Sequence, residues 1–155
     1  MSSIRSMLPQ RIEEARRRLD GVIRPTPLIG SETLDRIVGA HVLLKPENLQ
    51  KTGSFKIRGA YNRLMTLADD QKSRGVVAAS AGNHGQALAY AATRAGVTAT
   101  IVMPTTAVIA KVDATRSYGQ SVLLEGVDYQ AARAAPQRCA PNAARPSSTR
   151  TTTLT

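Results

Sequence analysis

Lys56 is the residue whose surroundings first suggest reactivity. It lies in residues 45–60, K-P-E-N-L-Q-K-T-G-S-F-K-I-R-G-A, where a glycine turn and Ser54, a candidate N-cap, precede a helix that opens near Lys56. A lysine at the positive end of a helix gains nothing from the helix dipole, and a purely structural first turn would favour Asp or Glu there. The chemistry that such an amine offers is condensation with a carbonyl. An ordinary lysine, with a pKa of about 10.4, is protonated at neutral pH and becomes a nucleophile only when burial or positive neighbours disfavour its charge. The helix end and Arg58 are the neighbours the sequence offers. On spacing alone, a solvated surface lysine is the simpler reading.

A second segment, residues 80–86 (S-A-G-N-H-G-Q), joins the apolar run G-V-V-A-A to Q-A-L-A-Y-A-A. Its backbone N–H groups therefore fall at a helix N-terminus, a geometry that favours anions. Gly82 and Gly85 let a ligand approach the main chain, and Ser80, Asn83 and His84 supply donors for a carboxylate or a phenolic oxygen. A tight structural connection would use the same glycines. Neither segment is a Walker loop or has G-x-G-x-x-G spacing, so nucleotide binding has no support. Cys139 is the only cysteine, so a disulfide framework and a thiolate metal cage are excluded, and His41 and His84 are too few for a histidine-rich site. No Ser-His-Asp or Cys-His arrangement is arguable.

The elements that must hold these segments read as an α/β chain. Ile12, Ala15 and Leu19 share one face of a short helix over 9–19, and Pro25 and Pro27 impose an extended segment and a linker. Residues 41–45 (H-V-L-L-K) read as a buried strand, 57–67 as a helix, 75–79 as a strand and 85–94 as a helix. Residues 98–103 read as a strand stopped by Pro104, 107–118 as a helix ended by Gly119, and 121–125 as a last strand. This βαβαβαβ order predicts a parallel sheet with helices on both faces. The expected organisation is an N-terminal helix and arm over 1–40, an α/β domain carrying Lys56 over 41–132, and a low-complexity tail over 133–155.

The 155 residues allow one domain with a real core, and the 42% hydrophobic fraction is ordinary for a soluble chain. No apolar run approaches the roughly 18 residues of a membrane span and no secretory signal is present, so a cytoplasmic protein with no membrane partner is expected. The net charge of +10 is uneven, because Arg133, Arg138, Arg145 and Arg150 lie in a stretch without any acid. Arg16, Arg17 and Arg18 are flanked by Glu13, Glu14 and Asp20 and read as a solvated face, so a nucleic-acid partner is not expected.

Taken together, the two reactive segments resemble the cofactor-lysine motif S-F-K-x-R-G and the S-x-G-N-H-G-Q loop of the threonine/serine dehydratase branch of the tryptophan-synthase β-like pyridoxal-phosphate family. R-P-T-P-L at 24–28, K-P-E-N-L-Q-K at 45–51 and M-P-T-T-A-V-I-A-K-V at 103–112 extend the likeness over residues 8–132. The resemblance implies fold type II and pyridoxal 5'-phosphate as cofactor. It implies that Lys56 forms the Schiff base and moves the substrate's α-proton, that Phe55 packs against the cofactor ring, and that Asn83 bonds its phenolic oxygen. Ser80, Ala81, Gly82 and His84 would then receive the carboxylate of an amino-acid substrate. β-Elimination would convert threonine to 2-oxobutanoate and ammonia. Full-length relatives of this kind are usually homo-oligomers.

Two positions depart from the pattern. Val108 stands where family members usually have proline, and Ala81 stands where serine racemases carry a serine. Racemisation needs an acid/base group on the opposite ring face, and alanine cannot transfer a proton, so the resemblance favours dehydration over the racemase alternative. The family's phosphate-cradling Gly-rich loop and the residue facing the pyridine nitrogen have no counterpart after Ala132, so little or no activity is expected of this chain alone, and a non-catalytic fragment is the other alternative. In the frame two bases later, residues 147–155 admit Val-His-Pro-Tyr-Asp-Asp-Pro, which resembles the family segment at this distance. A reading-frame slip between about Gln130 and Pro146 is therefore expected, and the coding DNA decides it.

Overall fold

In A-T-I-V-M over 99–103, alternate side chains must point to opposite sides of a strand, yet nearly all are apolar, which suits a strand covered on both faces. In the computed structural model, which describes residues 2–134, this strand is the centre of a parallel sheet. It comprises β3 (Val76–Ala79), β4 (Ala99–Met103) and β5 (Ser121–Leu124), in that spatial order. Val76 pairs with Ala99, and Thr100 with Ser121. Three further helices thread the sheet: α5 (Asn83–Ala95) and α6 (Ile109–Arg116) connect the strands, and α7 (Tyr129–Ala134) follows the last one.

The two faces are covered unequally. Val76, Ala78, Ile101 and Met103 face the main core with Leu88, Ala91 and Ala92 of α5 and Val112 of α6. That core also takes Ile57, Ala60, Tyr61 and Leu64 of α3 (Lys56–Met65) and Leu19 of α1 (Ser2–Leu19). On the other face, Val77 and Val102 are closed off by Ala132 of α7. The expected α/β class with helices on both faces is the observed one.

Several expected elements differ from those observed. Helix α1 begins at Ser2 rather than near residue 9 and contains Pro9, since proline removes one hydrogen bond but keeps a helical φ. The expected buried strand over 41–45 is only β2 (Leu43–Leu44), which pairs antiparallel with β1 (Ile29–Gly30) in a separate ribbon and is exposed, Leu43 by 53%. A short apolar run carries no period that tells buried from exposed, and Pro46 stops this one. The parallel sheet thus has three strands, not four. Within the expected linker lies α2 (Glu32–Val38), capped by Ser31 Oγ, which accepts from Leu34 N–H, and ended by Gly39 at a φ of 72°. Helix α4 (Asp69–Ser73) and α7 were also not foreseen.

Arg16 and Arg17 pair with Glu13, and Arg18 with Glu14, as the solvated-face reading expects. Arg18 also donates to Asn62 Oδ1 at 3.1 Å, fastening α1 to α3. Among the described residues no helix is long and apolar enough to cross a membrane. Residues 135–155, with Cys139 and most of the expected tail and frame slip, lie outside the described residues.

Candidate active site

Helices α3 and α5 pack on each other more extensively than any other helix pair. Both present buried small residues, Ala60 from α3 and Ala87 and Ala91 from α5, beside the buried Leu88. Near their N-terminal ends they leave a cavity of about 360 Å³ lined by Phe55, Lys56, Gly59, Ala60, Arg63, His84 and Leu88. Positions 56, 60 and 63 lie on one stripe of α3, and 84 and 88 on one stripe of α5, which is why they meet. The Lys56 amine stands 5.0 Å from the centre of the Phe55 ring, and that ring is 57% exposed.

The structure thus brings Lys56, Phe55 and His84 around one space. Asn83, Ser80, Ala81 and Gly82 do not line it; they form the adjoining connection from β3 to α5, beyond the carboxyl end of the strand. Ser80 Oγ accepts from the N–H of Gly85 at 3.0 Å and of Gly82 at 3.4 Å. The two glycines serve different ends. A Cβ on Gly82 would meet nothing within 4 Å, in keeping with access to the main chain, whereas one on Gly85 would lie 2.6 Å from the Ser80 carbonyl oxygen. Gly85 is there for helix-to-strand packing, which corrects the expectation that it opens the backbone to a ligand. Arg63, Gly59 and Leu88 were missed as lining residues, although counting helical turns onward from Lys56 reaches Gly59 and Arg63.

Two expectations about the turn before α3 fail. Ser54 does not cap the helix: Phe55 occupies the cap position without a side-chain hydrogen bond. Ser54 Oγ and Thr52 Oγ1 are instead buried with no partner among the described residues. Nor is Arg58 free to repel the Lys56 charge. Its Nε and Nη2 donate to the two Glu47 oxygens at 2.8 and 2.7 Å.

Glu47 is the hub of a network that the sequence did not reveal. It also accepts from Thr26 Oγ1 at 2.6 Å, and Lys45 Nζ donates to the Thr26 carbonyl at 2.6 Å. Gln50 clamps the backbone of Arg24, accepting from its N–H and donating to its carbonyl, both at 2.8 Å. The Arg58 guanidinium foremost, helped by Thr26 and Lys45, outweighs partial burial and holds the Glu47 carboxyl down to about 2; Glu47 in turn raises Arg58. R-P-T-P and K-P-E-N-L-Q are thereby tied together as a buttress beneath the start of α3.

The residues present fit an aromatic aldehyde cofactor. An amine, an aromatic ring and apolar walls at Ala60 and Leu88 enclose a space within the roughly 300–1,000 Å³ usual for ligand sites. The family model described as pyridoxal-phosphate dependent enzyme matches residues 19–150. The chain belongs to the pyridoxal-phosphate dependent enzyme family. Pyridoxal phosphate is the cofactor of that family, and the matched stretch includes Phe55, Lys56 and Asn83.

Individual members of the pyridoxal-phosphate dependent family are close in sequence and shape. An L-threonine ammonia-lyase of Thermotoga maritima is 53% identical over 115 residues, 74% of this chain and 29% of that protein. A catabolic L-threonine dehydratase of Staphylococcus aureus is 50% identical over 123 residues, 79% of this chain and 36% of that protein. This chain therefore spans about a third of the length of the curated relatives it matches. Among solved structures, serine racemase from Dictyostelium discoideum superposes with a TM-score of 0.76 at 39% identity, covering 83% of this chain and 42% of that one. The processed threonine deaminase isoform 2 from Solanum lycopersicum gives 0.75 at 37% identity, covering 84% of this chain and 36% of that one.

Proposed function

We propose that this chain carries the lysine-bearing part of a pyridoxal-phosphate site for β-elimination from threonine or serine, with a 2-oxo acid and ammonia as products. The observation that supports it best is the cavity shared by Lys56, Phe55 and His84 in a chain about half identical to proteins named as threonine ammonia-lyase and threonine dehydratase. Because those relatives are more than twice as long, the activity is proposed for the whole protein.

In this reading Lys56 Nζ would hold the cofactor through its aldehyde and would serve as the base that takes the proton from the substrate Cα. Phe55 supports the pyridine ring and Asn83 donates to its phenolic oxygen. The connection containing Ser80, Ala81, Gly82 and His84 receives the carboxylate at the N-terminus of α5. When bound, the cofactor supplies a sink for the electron pair left at Cα. The solved racemases among its neighbours raise a second reading, racemisation, against which Ala81 argues, since its methyl group cannot return a proton to the far side.

Borohydride reduction in the presence of pyridoxal phosphate, followed by peptide mapping, is the direct test. The label is expected on Lys56 and is absent in Lys56→Ala. Labelling spread over surface lysines, with Lys56 not preferred, would sink the assignment.

A further inference from the structure

Lys56 and Arg63 lie two turns apart on one stripe of α3, about 10 Å along the helix axis, and line the same cavity. Long side chains on a helix lean towards its N-terminus, so Arg63 leans back towards the lysine end. Among the described residues, no Asp or Glu lines this cavity, and the exposed Arg63 guanidinium has neither a hydrogen bond nor an ion pair. Other arginines around α3 are engaged: Arg58 is held by both Glu47 oxygens, and Arg18 donates to Asn62 and Glu14. A guanidinium presents five N–H donors in a planar fork that matches the edge of a phosphate or carboxylate. The cavity therefore offers an amine at one end and an unengaged anion fork at the other, with Ala60 between them on the stripe.

We propose that Arg63 recognises the phosphate of an aromatic aldehyde joined to Lys56, and so selects the phosphorylated form of the cofactor over unphosphorylated analogues. The proposal rests on Lys56 as the cofactor lysine and adds a group that reads the ester. In pyridoxal phosphate the aldehyde and the ester-bearing arm stand on adjacent ring carbons. The phosphate thus stays within a side chain's reach of the carbon that Lys56 holds. A phosphate dianion beside the apolar walls at Ala60 and Leu88 needs a paired cation, and Arg63 supplies one without breaking any existing bond.

The test labels the full 155-residue chain at Lys56 by borohydride reduction with either pyridoxal phosphate or 5-deoxypyridoxal. The second aldehyde has the same ring but a methyl group where the ester-bearing arm stands. In wild type the phosphorylated aldehyde is expected to reach half labelling at a concentration about tenfold lower, the low end for a charge-assisted hydrogen bond because Arg63 is exposed. Arg63→Gln is expected to remove most of that preference by raising the concentration needed of pyridoxal phosphate alone. Arg63→Lys, which keeps the charge but not the fork, restores part of it. Unchanged labelling by 5-deoxypyridoxal in both variants shows that the fold and Lys56 are intact. Equal preference in wild type and Arg63→Gln, as when the phosphate sits on the N–H groups at the start of α5, overturns the proposal, and so does a parallel loss with both aldehydes. If neither aldehyde labels Lys56 in wild type, the cofactor reading fails, and a second measurement still decides Arg63 as a phosphate site. Its Nε–H resonance, identified by its loss in Arg63→Gln, is expected to shift with inorganic phosphate. No shift there, or the same shift at every arginine, overturns the proposal.

Discussion

Glu47 and Arg58 set the conditions under which the turn before Lys56 keeps its shape. The Glu47 carboxyl is held at about 2 against an ordinary 4.5, so folding favours its ionised form. Its contribution is complete above about pH 5 and is lost as pH falls from 4.5 towards 2. Thermal unfolding followed by circular dichroism should therefore show wild type losing stability across that interval more steeply than Glu47→Gln; equal slopes would count against the pair. Arg58→Ala leaves a largely buried carboxylate, its side chain 15% exposed, without its main partner, and is expected to cost about 1.5–3 kcal/mol in urea unfolding. At the neighbouring junction, Gly85→Ala should destabilise by about 1–3 kcal/mol because the new methyl group presses on backbone, whereas Gly82→Ala should cost well under that. A tolerated Gly85→Ala would mean the junction yields more readily than its geometry implies.

Among the elements, the three strands of the parallel sheet were legible because apolar runs flanked by glycine or proline leave few alternatives. Helix α2 was missed: Ser31 and Gly39 cap its ends, but its body buries nothing and so carries no stripe to find. Lys56 and His84 were readable as reactive groups; that they share a cavity depends on α3 crossing α5, which no local pattern contains. The Glu47 network was hidden for the same reason, since Thr26, Glu47 and Arg58 are brought together across separate segments. Gln120 is another such link: it accepts from Ala99 N–H at 2.7 Å and donates to Thr93 Oγ1 at 2.8 Å, joining the end of α5 to the start of β4. Gln120→Ala orphans the Ala99 N–H and is expected to cost about 1–3 kcal/mol, checked by chemical denaturation. Hydrogen exchange should be fastest in α2 and the β1–β2 ribbon, which add no buried residue to the core, and slowest in β4. Protection of α2 equal to that of β4 would contradict this ordering.

Seen whole, the chain exposes an unusual amount of apolar surface in one stretch. Leu28, Ile29, Ile37, Val38, Leu43 and Leu44 are all exposed, on or beside a ribbon with two residues in each strand and a seven-residue helix that could not persist alone in water. The chain is therefore expected to bind a hydrophobic dye such as anilinonaphthalene sulfonate, with Leu43→Ser and Leu44→Ser together lowering the fluorescence without shifting the unfolding midpoint. Undiminished fluorescence would place the sticky surface elsewhere.

Among the described residues, the far side of the sheet is sealed where Ala132 covers Val77 and Val102. A ribosome must have passed that codon before the two valines can be hidden. Any nascent product released earlier would emerge with its back open, a ready target for chaperones and proteases. An alanine that touches no reactive group therefore sets how far synthesis must run before these two valines are hidden.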